Sequence, residues 1–84
     1  MKVNFDDYED AFSRADQYIK EQCSGYNKVC SPDIRKSVTR RIYVKLVSVF
    51  WEEYYDCRVS LDDTNVYMHF RCPQDLTAFL LKWP

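Results

Sequence analysis

The chain has 84 residues, is 46% hydrophobic and 17% aromatic, and carries a formal net charge of −1. Its length fits one domain, residues 1–84, and one glycine with three prolines excludes collagen-like and linker-like sequences. No apolar run approaches the roughly 20 residues that cross a bilayer, and residues 1–7 turn acidic where a signal peptide would be apolar, so a cytoplasmic protein is expected.

Residues 5–23 place Phe5, Tyr8, Phe12, Ala15 and Ile19 at steps of three and four, the stripe of an amphipathic helix. Asn4 is the expected cap and Ser24-Gly25 the expected end, with Asp6, Asp7, Glu9 and Asp10 where the helix dipole favours acids. Ser31-Pro32-Asp33 then opens a second helix. No glycine interrupts it as far as Tyr55, and Ile34, Val38, Ile42, Leu46 and Phe50 recur every four residues. One continuous helix over residues 31–55 would span roughly 36 Å. Apolar groups lie all round between Tyr43 and Trp51, which predicts burial on most sides. The competing reading is a buried strand near residues 42–50, because Ile42, Val44, Val47 and Val49 are β-branched. Alternation fails at Leu46-Val47 and Val49-Phe50-Trp51, so the helix is preferred.

Residues 57–72 alternate as a hairpin: Cys57, Val59 and Leu61 on one side of the first strand, and Val66, Met68, Phe70 and Cys72 on one side of the second. A turn around Asp63-Thr64-Asn65 pairs Val59 with Phe70 and Leu61 with Met68, which keeps both apolar sets on one face. Pro73 opens a short last helix with Leu76, Phe79, Leu80 and Trp83 on one side. The order reads ααββα. This is a small α+β domain of two antiparallel helices, a β-hairpin and a short C-terminal helix.

Charge is segregated along the chain. Residues 1–16 carry a net −3, residues 17–45 a net +5 and residues 46–84 a net −3. If the two long helices pack antiparallel across a short loop, Asp6, Asp7, Glu9 and Asp10 join Glu52 and Glu53 at an acidic pole. Arg35, Lys36, Arg40, Arg41 and Lys45 then form a basic pole. The second helix runs against its own dipole, with cations early and anions late. Those charges therefore point to a partner.

Four cysteines stand at positions 23, 30, 57 and 72. Cys23 with Cys30, and Cys57 with Cys72, are spaced for local disulfides, but a reducing compartment favours free, mostly buried thiols. No C-x-x-C pair exists and there is one histidine, so no metal or other cofactor is expected. One glycine cannot build a phosphate-binding loop. His69 sits on the hairpin near Ser60, away from Cys57 and Cys72, which leaves no Cys/His nucleophile pair there. No enzymatic activity is expected.

Three readings follow. The first is a protein-binding module, an adaptor or inhibitor of the kind common among accessory proteins of phages and mobile elements. It would use the charged poles and exposed members of the seven tyrosines. The second is nucleic-acid binding through the cations of the second helix, which the sequence pI near 5.7 opposes. The third is a salt-sensitive homo-oligomer in which opposite poles meet. Another protein is the expected partner.

Overall fold

A computed structural model describes residues 1–84 as a small α+β domain. Strand β1 (Lys2–Asn4) leads through a 3₁₀ turn (Phe5–Tyr8) into α1 (Glu9–Gln22), followed by α2 (Ser24–Val29), α3 (Pro32–Ser37) and α4 (Arg40–Tyr55). Strands β2 (Arg58–Asp62) and β3 (Asn65–His69) and helix α5 (Pro73–Lys82) complete the chain. The three strands form an antiparallel sheet in the order β1-β3-β2.

Asn4 caps as expected, its Oδ1 accepting from the Asp6 amide at 2.9 Å, but what it caps is the 3₁₀ turn. Tyr8, φ −138°, interrupts the expected helix, and α1 starts at Glu9 without a side-chain cap. Phe12, Ala15 and Ile19 are its fully buried stripe. Ser24-Gly25 does not end the helical region. Cys23 takes one extended step, φ −134°, and the chain re-enters a helix that carries Tyr26 into the interior.

The long second helix is broken in two. Val38 and Thr39 are both extended, and Thr39 Oγ1 caps α4 by accepting from the Ile42 amide at 3.3 Å. Two adjacent β-branched residues resist the helix, and the second is a good N-cap. The forties are helical, not a strand. At the far end Asp56, φ 53°, stops α4 in the left-handed region. Burial all round does not follow, for Val49 is 61% exposed and Ile42 48%.

The hairpin forms with a register two residues away from the expected one. Val59 lies opposite Met68 and Leu61 opposite Val66. Moving by two keeps every side chain on its face, so burial does not separate the two registers. The turn does. Asp63 adopts φ 54°, and Asp63-Thr64 alone reverse the chain between Asp62 and Asn65. This register brings Phe70, not Cys72, level with Cys57.

Strand β1 is a feature the sequence pattern did not reveal. It adds Lys2 opposite His69 and Val3 opposite Met68, and the Phe70 amide donates to the Met1 carbonyl at 2.8 Å. The outer edge of β2 is covered by α4, where Ser48 Oγ accepts from the Val59 amide at 2.9 Å. That blocks one of the backbone donors through which sheet edges recruit other chains.

The core lies between the inner face of the sheet (Val3, Val59, Met68) and helices α1, α4 and α5. Phe12 is its centre, with ring centroids 5.5 Å from Phe79 and 6.3 Å from both Trp51 and Phe70. Such pairs add about 0.5–1.5 kcal/mol each beyond burial. Helix α5 docks by Leu76 and Phe79, as its spacing predicts.

Candidate functional site

The chain from Cys23 to Thr39 is not a short loop, and α2 and α3 carry it back across the domain. The expected antiparallel matching of helix ends is therefore lost. Phe5 and Asp6 line the same cleft as Arg40, Tyr43 and Val44 at the start of α4. At the end of α4 the Tyr55 hydroxyl donates to the Ala15 carbonyl at 2.7 Å. Asp6 of the first segment thus shares a cleft with the basic start of α4, not with its acidic end.

That cleft encloses about 580 Å³, within the range of roughly 300–1,000 Å³ typical of binding pockets. Val44, Val47 and Trp51 of α4 face Val59, Val66 and Met68 of the sheet and give it an apolar floor. Arg35 from α3 and Arg40 from α4 stand at its lining with Asp6. The Arg35 guanidinium lies 5.3 Å from the Tyr43 ring centroid, and Arg40 Nη2 donates to the Thr64 carbonyl at 3.1 Å. Neither arginine has a carboxylate within ion-pair distance.

One wall is polar. The Tyr26 hydroxyl donates to Asp16, and the Trp51 indole nitrogen lies 3.1 Å from the same carboxylate oxygen. Burial, then the hydrogen bond to Asp16 and its charge, push the Tyr26 hydroxyl far above the usual phenol range. Tyr43 is pushed up to about 12, first by burial and then by neighbouring Cys30, with Arg35 acting in the opposite direction. Both phenols are donors at neutral pH. The cleft offers an apolar floor and two guanidiniums outside ion-pair distance of the Asp6 and Asp16 carboxylates that also line it, a combination suited to an apolar group that carries an anion.

The remaining residues expected at the poles are dispersed. Arg41 and Lys45 lie along a separate groove between α4 and β2, together with Glu52 and Arg58. Glu53 lines a third depression with Arg71, Asp75 and Lys82. Lys36, Asp7, Glu9 and Asp10 are exposed and line none of the three. Arg40 and Arg41, though adjacent on α4, line different depressions, because successive helix positions are turned by about 100°. The cleft itself left no local trace in the sequence, since its walls come from seven separated segments.

All four cysteines are free thiols. Cys57 is buried, which pushes its thiol up to about 12. No three His, Cys, Asp or Glu side chains converge as metal ligands would. Ser60 Oγ lies 2.6 Å from His69 Nε2 on the outer face of the sheet, as expected of these neighbours. Burial, then Arg58, Lys2 and the terminal ammonium, lower the His69 pKa. The charges acting on the ring are cationic.

No helix is long and apolar enough to cross a membrane. Comparison with protein-family models, with curated proteins and with solved structures found no match.

Proposed function

We propose that this chain is a protein-binding module whose cleft receives an apolar side chain of a partner while Arg35 and Arg40 hold an adjacent carboxylate. The carrying observation is the presence of two guanidiniums, free of ion pairs, on an apolar-floored cleft of about 580 Å³. Apolar burial supplies affinity, and the arginines supply register and selection against basic segments. The expected biological form is an adaptor or inhibitor acting in the cytoplasm, where free thiols persist. Division of the cations between two sides of α4 weighs against a nucleic-acid backbone, which is tracked by a continuous basic stripe.

Selection from a random peptide library tests this. Peptides enriched on the protein are expected to carry Asp or Glu beside Leu, Ile, Phe or Trp, and to change Trp51 fluorescence on binding. Arg35→Glu with Arg40→Glu is expected to weaken them about tenfold or more. Enriched peptides without acidic bias, or equal binding by the double variant, would refute the proposal.

A further inference from the structure

The outer face of α4 does not look like a solvated helix surface. A helix that is apolar all round is normally covered on all sides. Here Ile42 and Val49 are 48% and 61% exposed, and half-buried Leu46 lies between them on the same stripe. The rest of the chain covers this stripe only in part. Arg41 and Lys45 flank one end and Glu52 and Glu53 the other, all exposed and none in an ion pair.

From this layout we infer that the outer face of α4 is a twofold interface between two copies of this chain. A twofold axis between Leu46 and Val49 sets the two α4 helices antiparallel and makes the face self-complementary. Leu46 of one copy then comes level with Val49 of the other. Arg41 falls one residue from level with Glu53 of the second copy, and Lys45 two residues from level with Glu52. Two residues are about 3 Å of helix rise, well within the reach of these side chains. A parallel arrangement would instead set cation against cation. The antiparallel one also brings the cations at each helix start, misplaced for their own dipole, beside the acidic C-terminal end of the other helix. This surface lies apart from the Arg35–Arg40 cleft, so either proposal can fail alone.

Light scattering across a salt series, with matched charge variants, decides the matter. At low ionic strength the wild type is expected to show twice the 10.2 kDa chain mass, falling toward one chain as salt screens the pairs. Arg41→Glu with Lys45→Glu makes all four flanking charges negative, and Glu52→Lys with Glu53→Lys makes all four positive. Each double variant is expected to be monomeric alone, with unchanged circular dichroism. Mixed in equal amounts, the two are expected to regain the doubled mass. A wild type that stays monomeric at low salt and high concentration would overturn the inference. So would a dimer that survives both double substitutions, or variants that remain monomers when mixed. A monomer that instead binds phosphatidylserine vesicles through Val49 would assign the face to lipid and equally overturn it.

Discussion

The indole nitrogen of Trp51 donates to Oδ1 of Asp16 at 3.1 Å, across 35 residues of chain. The same oxygen accepts from Tyr26, and Lys20 Nζ stands 3.2 Å from the other oxygen. One carboxylate thus joins α1, α2 and α4 beside the cleft. Its removal leaves the Tyr26 hydroxyl without its acceptor and the Trp51 indole with only its 3.2 Å bond to Tyr26 Oη, where an unsatisfied buried group costs about 1–3 kcal/mol. Asp16→Ala is expected to lower stability by about 2 kcal/mol or more, and Tyr26→Phe by only about 1 kcal/mol. Urea unfolding midpoints measure both, and equal losses would show that the carboxylate is not the hub.

Ser48 predicts a second, separable loss. It is the single polar residue among the buried ones, beside the core's hydrophobic and aromatic side chains, and its hydroxyl satisfies the Val59 amide on the edge of the sheet. Ser48→Ala is expected to cost about 1–3 kcal/mol. Amide exchange localises the effect: the Val59 proton should lose protection while that of Met68, within the sheet, changes less.

Thr39 is expected to matter through its oxygen alone. It caps α4 at the Ile42 amide, and losing such a cap typically costs about 1 kcal/mol. Thr39→Ala should lower the thermal midpoint, while Thr39→Ser should restore most of it. If both variants melt alike, the break between α3 and α4 is held by packing of Val38 and not by the cap.

Alkaline pH should unfold the protein in a defined sense. Cys57 rises from an ordinary 9.0 to about 12 and Tyr43 from 10.0 to about 12, both chiefly through burial. Below about pH 9 each group is protonated in folded and unfolded chains, and the full contribution is present. Above it the unfolded chain releases protons that the folded chain retains, so stability falls as pH rises toward 12. The thermal midpoint is expected to drop above pH 9, and less steeply in Cys57→Ala. Ultraviolet titration should show Tyr43 ionising late, with Tyr26 and Tyr55, whose hydroxyls burial also raises.

What the sequence made legible was whatever repeats locally. Phe12, Ala15 and Ile19 on α1, the two hairpin faces, and Leu76 with Phe79 on α5 all follow from spacing, and all are where spacing puts them. The break in the second helix was hidden because Ile34, Val38 and Ile42 keep the four-residue rhythm straight through it. A signal did exist in Val38-Thr39, two β-branched residues with a capping hydroxyl three before Ile42. Strand β1 is three residues long, too short to show a period. The cleft depends on which segments meet, and the placing of Asp6 and Arg40 on one cleft is a product of the path through α2 and α3 that no local pattern encodes.

Strand β1 also sets an order of events. Its partner β3 lies far along the chain, just before α5, with Lys2 level with His69. At about 5–20 residues per second the ribosome exposes the first strand seconds before its mate exists. Contacts so far apart along a chain close slowly, because loop-closure entropy is lost before any pairing compensates it. Strand β1 thus waits for its partner, and until it is seated the free edge of β3 stays open to strands from neighbouring nascent chains.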